Sequence, residues 1–226
     1  MDLWRKEETN MSIIRNVMDE EETFEDSATP ISVMADAFEE LTRSISTSSE
    51  DLRLVPFCDA CSLVSVLFRC LGIAFKFAEL EYISKVNDLV EASKTFDTLK
   101  NILDHDVEND SVRTQGSRSR NLRRVRQGLD LIRALFEQFL SSDDCSLREA
   151  ASSAYAQVCA PYHKWAIRTA VFAGMYALPS KQRLIEQLNE TDHSVEKEMR
   201  RYINASLPVI EYIDKLYISK NISLDW

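Results

Sequence analysis

Apolar residues recur along most of the chain at steps of three and four, the spacing of one face of an α-helix. The first such segment spans Ile31–Ser46, and Pro30 marks its start. Further helices are predicted over Phe96–Val107, Leu122–Phe139, Ala150–Ala160, Tyr162–Leu178, Lys181–Leu188 and Val195–Leu216. Pro161 and Pro179 separate neighbours in this series, and Pro208 is expected to kink or divide the last helix.

The most apolar part of the chain, Phe57–Val90, predicts one long or gently kinked helix, mostly buried, with Gly72 as its only weak point. Its centre, Ala60–Leu80, approaches the roughly 20 residues of a membrane span. Arg69 and Lys76 interrupt it, and each would cost about 2.5 to 3.5 kcal/mol near the bilayer centre, so no span is expected. A helix that is apolar on more than one face must be covered or line an apolar space, so this segment is a candidate cavity wall.

These patterns predict an all-α fold. No segment keeps a convincing period of two, and four Gly with five Pro leave few turns in 226 residues. One good-sized core fits this length. We therefore expect a single domain over residues 31–226, built as a two-layer packing of about seven or eight helices.

Charge is distributed unevenly. The chain has 27 Lys and Arg against 37 Asp and Glu, and Met1–Pro30 alone holds nine acids and three bases. This segment predicts a disordered acidic extension; a short helix around Ile13–Val17 that docks on the body or a partner is the alternative. The net charge of -10 disfavours nucleic acid and tight adhesion to anionic membranes. The N-terminus lacks a secretory pattern, so a cytoplasmic location is expected.

Catalytic signals are weak. The sequence contains no glycine-rich phosphate loop, His-Glu-x-x-His or Gly-x-Ser-x-Gly motif, so we expect no enzyme activity, cofactor or metal. Cys58 and Cys61 form a Cys-x-x-Cys pair without a second pair, which favours buried core residues over a zinc or redox site. No disulfide is expected among the five cysteines. His105 and His193, flanked by aspartates, are expected to be solvated.

The sharpest anomaly is Ser111–Gly128, which has six arginines and no acid. In a helix, Arg120 and Arg124 would share a face, and guanidinium groups ~6 Å apart repel by roughly 3 kcal/mol at an effective dielectric near 20. A bound anion would remove that cost, and the planar guanidinium fork suits phosphate. The alternative is that these arginines pair with Asp and Glu of neighbouring helices.

Two further places carry candidate polar groups. Glu81 and Lys85 are four apart, which could be a surface ion pair worth ~0.3 to 0.5 kcal/mol, but they end the most apolar run of the chain. His163 precedes Trp165 at the expected opening of a helix. Taken alone, it is either a core or capping histidine or a site residue.

At this point the sequence resembles the glycolipid transfer protein superfamily, and within it the plant accelerated-cell-death branch of ceramide-1-phosphate transfer proteins. The resemblance runs from about Ile31 to Trp226. It rests on the stretches Ala60–Val64, Cys70–Leu80, Arg120–Arg124, Tyr155–Val158, Ala160–Arg168, Gly174–Pro179 and Asp225–Trp226.

The resemblance implies a two-layer all-α sandwich with a headgroup site above an apolar pocket. It assigns the headgroup phosphate to Lys85, Arg120 and Arg124. It assigns the amide carbonyl of ceramide to His163 and a membrane-facing role to Trp165. The family's ceramide-orienting aspartate falls at Glu81, whose arm is one methylene longer.

The implied function is non-enzymatic transfer of ceramide-1-phosphate or a related phosphosphingolipid, with transient contact to membranes. In the glycolipid-binding branch the positions of Arg120 and Arg124 are apolar or aromatic, so the two arginines favour phosphate over sugar. A second hypothesis is a lipid sensor or scaffold in cell-death or defence signalling, in which Glu81 blunts transfer and the acidic extension recruits a protein partner.

Overall fold

The computed structural model describes residues 28–47, 51–72, 75–141 and 145–226, and in these ranges the backbone is mostly helical. The described residues form ten α-helices, in chain order: α1 (Pro30–Thr47), α2 (Leu54–Leu63), α3 (Ser65–Cys70), α4 (Lys76–Ala92), α5 (Leu99–Glu108), α6 (Arg118–Ser141), α7 (Leu147–Val158), α8 (Trp165–Met175), α9 (Lys181–Gln187) and α10 (Asp192–Ser219). The predicted all-α, single-domain class is confirmed. The predicted acidic extension, Met1–Pro30, lies outside the described residues apart from positions 28–30. The contact that it is predicted to make with a protein partner therefore lies outside them too.

Two long helices organise the molecule. Helix α10 packs along α1 and α6, while α6 also packs against α4 and α7. The rings of Phe38, Phe136 and Tyr202 join α1, α6 and α10, with Tyr202 edge-on to Phe38 at 5.1 Å and to Phe136 at 5.6 Å. Edge-to-face packing is a favoured aromatic geometry. One continuous core therefore fixes α6, the helix that carries most of the arginine-rich sequence.

The single long helix predicted over Phe57–Val90 is wrong. The chain divides this segment into α2, α3 and α4, with breaks at Val64 and after Cys70. Gly72 has φ +92°, a left-handed conformation that glycine adopts without steric cost, so the weak point becomes a complete break. The expectation of burial also fails in α4, where Phe77 is 80% and Leu80 is 55% exposed.

Two proline-based expectations need correction. A 3-10 turn, Ala160–Tyr162, precedes α8, so the helix predicted from Tyr162 begins at Trp165, and His163 lies in the connection. Helix α10 continues through Pro208 instead of dividing there. Proline removes the bond to the carbonyl of Asn204, but Asn204 is exposed and water can satisfy that carbonyl.

The start of α6 is anchored by a buried carboxylate. Asp106 is 2% exposed and accepts a hydrogen bond from the backbone N–H of Ser119 at 2.8 Å. A carboxylate at a helix N-terminus satisfies an orphan donor and the helix dipole. The prediction that His105 is solvated is therefore only partly confirmed. His105 is partly exposed, but its neighbour Asp106 is buried.

The Cys-x-x-Cys pair belongs to the core, as predicted. Cys58 and Cys61 are 2% and 0% exposed on α2. Burial raises the pKa of the Cys58 thiol to about 12, which keeps it protonated. In the described ranges, no helix is long and apolar enough to cross a membrane.

Candidate functional site

A largely apolar cavity of about 530 Å³ lies between α3, the start of α4, α6, α7 and α8. Phe68 and Leu71 line it from α3, Leu135 from α6, Ala154 from α7 and Val171 from α8. The break after Cys70 is what turns these walls toward one another, so the apolar run does line a cavity, as its pattern predicted. Such a space suits hydrocarbon, because apolar surface leaves water at about 25 cal/mol per Å².

Helix α8 is the most lightly packed wall of the cavity. Ala166, Ala170 and Gly174 line the cavity at four-residue spacing, and their small side chains leave room inside it. Of the eleven residues of α8, Met175 alone is buried. Elements with few buried contacts open at low free-energy cost, so α8 is the wall that a large apolar ligand displaces most easily.

His163 and Tyr155 form a polar edge in the otherwise apolar cavity wall. The Nδ1 of His163 lies 2.8 Å from the hydroxyl of Tyr155 on α7. Partial burial, and then the charge of Arg124, lower the pKa of His163 below its ordinary value of 6.5. The imidazole is therefore neutral at neutral pH, and Tyr155 fixes the ring while Nε2 keeps its hydrogen-bonding capacity.

This pKa shift gives a prediction about stability. Because the folded-state pKa of His163 lies below its unfolded value, the unfolded chain binds more protons at mildly acidic pH. His163 therefore favours the folded state above pH 6.5 and loses that contribution as the pH falls. Between about pH 7.5 and about pH 5.5, the melting temperature of His163→Gln should fall less than that of the wild type. The exposed control His193→Gln should keep the wild-type slope, and equal slopes for all three proteins would contradict the assignment.

Arg124 is the cation whose charge acts on His163. Its Nη1 donates to Oε1 of Gln127 at 2.6 Å, and no carboxylate among the described residues lies within ion-pair distance. Burial, then the charges of Arg120 and Arg123, lower its pKa. Arg120 is likewise without a carboxylate in the described chain, and its Nη1 donates to the carbonyl of Arg113 at 2.7 Å. Two arginines one helical turn apart are therefore left without an ion-pair partner among the described residues.

The predicted ion pair on α4 faces these arginines. The Nζ of Lys85 lies 3.2 Å from Oε1 of Glu81, so the simple helix-surface pairing is present. The charge of Glu81 also acts on Arg124 across the α4–α6 contact. Electrostatic interactions thus link Arg124 to Arg120, Glu81 and His163. Lys85 is connected to this set through its ion pair with Glu81.

The alternative reading of the arginine cluster holds for three of its members. Arg126 binds both carboxylate oxygens of Asp214 on α10, and Arg123 lies 3.8 Å from the same carboxylate. Arg113 lies 3.7 Å from the carboxylate of Asp225.

The other three members have no carboxylate within ion-pair distance among the described residues. Arg118 lies over the ring of Phe96, 5.0 Å from its centroid. Arg120 and Arg124, one helical turn apart, are the remaining two.

Two residues of this edge escaped the sequence reasoning. Gln127 follows Arg124 by three residues, and Tyr155 precedes His163 by eight. The i,i+3 spacing of Arg124 and Gln127 was a usable signal on a predicted helix. No sequence pattern pointed to the contact between Tyr155 and His163, because it crosses the 3-10 turn between two helices.

Exposed apolar side chains surround the mouth of the cavity. Trp165 is 74% exposed at the first turn of α8, and Phe77 at the start of α4 is 80% exposed. Lys76, Lys164 and Arg168 flank these residues in the sequence and are also exposed. A mixture of aromatic and basic side chains on an exposed surface is typical of proteins that contact the membrane interface.

Sequence comparisons and structure comparisons with known proteins agree with each other. The sequence profile of the glycolipid transfer protein (GLTP) family matches residues 52–190. The chain is 63% identical to the ACD11 homolog protein of Arabidopsis thaliana, covering 92% of this chain and 97% of that protein. It is 47% identical to accelerated cell death 11 of Arabidopsis thaliana, covering 87% and 96%. A crystal structure of a mutant of Arabidopsis ACD11 complexed with C12 ceramide-1-phosphate matches with a TM-score of 0.86 at 46% identity, covering 88% of this chain and 100% of that one.

Proposed function

Because the chain belongs to the glycolipid transfer protein family, we propose that it is a non-enzymatic carrier of ceramide-1-phosphate or a closely related phosphosphingolipid between membranes. The observation that carries this proposal is that Arg120 and Arg124 have no carboxylate in ion-pair contact among the described residues, while the charge of Arg124 acts on His163, which lines the apolar cavity. A neutral sugar would leave the repulsion between the two guanidinium groups in place. A phosphate monoester would replace it with charge-assisted hydrogen bonds.

In the proposed complex, Arg120, Arg124 and Lys85 hold the phosphate. His163, neutral and fixed by Tyr155, donates to the amide carbonyl of ceramide. Glu81 accepts the amide N–H, and its extra methylene is compatible with this role because its side chain is 59% exposed and has room to bend. Lipid binding then redirects Lys85 from Glu81 to phosphate, which frees the carboxylate for the amide.

The cost of exposing lipid chains to water explains why such a lipid needs a carrier. At ~0.8 kcal/mol per methylene, exposing some ~30 chain methylenes to water would cost on the order of 24 kcal/mol. The cavity removes chains from water during transfer, and the lightly packed α8 is the wall that moves to admit them. Shielding alone lowers the barrier, so no chemical step is required of the protein.

We propose that Trp165 and the neighbouring exposed residues make the membrane contact. Contact should be brief, because the net charge of -10 opposes strong adhesion to anionic bilayers. Trp165→Ala should lower vesicle binding and transfer by about tenfold or more, since burying a large apolar side chain contributes about 1.5 to 3 kcal/mol. Ile218→Ala removes a comparably exposed apolar side chain on α10 and should leave both unchanged. Vesicle flotation measures the binding, and equal behaviour of the two variants would exclude Trp165 from the contact.

The decisive test is transfer of fluorescent ceramide-1-phosphate between vesicles, with galactosylceramide as the neutral control and total lipid mass followed throughout. We expect fast, phosphate-selective transfer with no loss of lipid mass. Preference for galactosylceramide would refute the headgroup assignment. Consumption of the lipid during incubation would refute the non-enzymatic function.

A further inference from the structure

The amide side chain of Gln127 is buried next to Arg124 with its oxygen paired and its nitrogen unpaired. Gln127 is 5% exposed, and its Oε1 accepts the short 2.6 Å hydrogen bond from Arg124. Its Nε2 is buried without a hydrogen-bond partner among the described residues. Buried donors are normally paired, since an unpaired one costs stability. A polar group kept at such a cost is expected at functional sites more than elsewhere.

Further along α6, two arginines pair with carboxylates of the same helix. Arg126 bonds Asp130 at 2.7 Å, four residues on. Arg133 bonds Asp130 at 2.8 Å and Glu137 at 2.5 Å, at the same helical spacings. Carboxylates at three- and four-residue steps therefore neutralise these two arginines.

At Arg124 the same spacings offer no carboxylate. Position 127 is glutamine, and position 128 is Gly128, where a Cβ would meet the ring of Tyr82 at 2.6 Å. Gln127 is therefore the only side chain at these two spacings that can hold the guanidinium. An amide oxygen can accept its hydrogen bond without neutralising its charge.

We propose that Gln127 is a positioning residue for the headgroup: it orients Arg124 at full charge toward a phosphate monoester, and its unpaired amide N–H completes the binding site when the phosphate is present. This inference rests on the proposed function and names a determinant of its headgroup selectivity. A glutamate at this position would hold Arg124 equally well but cancel its charge, and an apolar residue would leave Arg124 without its acceptor.

Two variants separate positioning from simple structural support. Gln127→Glu should keep the fold, because the new carboxylate pairs with Arg124, yet reduce ceramide-1-phosphate transfer by about tenfold or more, the scale of one lost charged hydrogen bond. Gln127→Met removes the acceptor and the unpaired donor together. It should reduce transfer several-fold while the melting temperature stays the same or rises.

The control is Gln138→Glu, the same chemical change about three turns further along α6, which should leave transfer unchanged. Initial rates for ceramide-1-phosphate and galactosylceramide, with melting temperatures, are measured for all four proteins. If Gln127→Met lowers the melting temperature and both Gln127 variants keep wild-type rates and headgroup selectivity, Gln127 is only structural and this inference fails. Failure of the wild type itself to transfer ceramide-1-phosphate would instead overturn the proposed function.

Discussion

Arg124→Glu should transfer no measurable ceramide-1-phosphate while keeping wild-type helicity. Loss of a hydrogen bond between charged partners removes about 1.5 to 3 kcal/mol. A carboxylate about 4 Å from the phosphate adds about 4 kcal/mol of repulsion at an effective dielectric near 20. At about 1.4 kcal/mol per tenfold, the two effects together lower phosphate affinity on the order of ten-thousandfold.

The fold should tolerate this substitution for an electrostatic reason. Glu at position 124 would face Arg120 one turn earlier on α6, so the change replaces a repulsion by an attraction. Circular dichroism and melting temperature check the fold, and vesicle transfer checks the function. Arg200→Glu is the matched control, because Arg200 is exposed on α10 and, within the described part of the chain, pairs only with Glu196 on its own helix. If Arg124→Glu transferred ceramide-1-phosphate like Arg200→Glu, the phosphate site would lie elsewhere.

The second large effect is expected from filling the cavity with Ala170→Trp. Ala170 lines the cavity from α8, yet it is exposed to the open space, so an indole can project inward without displacing the core. Excluding even about three methylenes of a chain would cost about 2.4 kcal/mol at about 0.8 kcal/mol each. That corresponds to roughly fiftyfold weaker lipid binding. Long-chain ceramide-1-phosphate should be affected more than a short-chain analogue.

Ala173→Trp provides the comparison for this variant. Ala173 lies on the same helix and is exposed, but it is not part of the cavity wall. It should transfer both lipids at wild-type rates. If Ala170→Trp and Ala173→Trp lost transfer activity equally, α8 would act through its outer surface. If both kept wild-type transfer, the lipid chains would lie outside this cavity.

Local chemistry made the arginine pair predictable. Six arginines without an acid in one segment predicted an anion site before any contact was known, and the helical spacing of Arg120 and Arg124 placed them on one face. The sequence could not say which members pair internally. That depends on Asp214, which lies 88 residues from Arg126 and contacts it only because α10 packs along α6.

The helix boundaries also show which features the sequence predicted and which features tertiary packing decided. The apolar run Phe57–Val90 predicted one long or gently kinked helix and a cavity wall. The structure instead breaks this run at Val64 and after Cys70, where Gly72 takes a left-handed conformation. Conversely, Pro208 predicted a kink or a division, and α10, packed against α1 and α6, is not divided there.

The sequence by itself determined the all-α class, most helix positions and the residues that can hold an anion, because these follow from periodicity and local charge. Only the tertiary structure decided the rest. It enclosed the cavity, set His163 against Tyr155, and left Arg124 facing Gln127 instead of a carboxylate. These features depend on contacts between distant segments, whose geometry is set by the packing of a shared core and not by any local pattern.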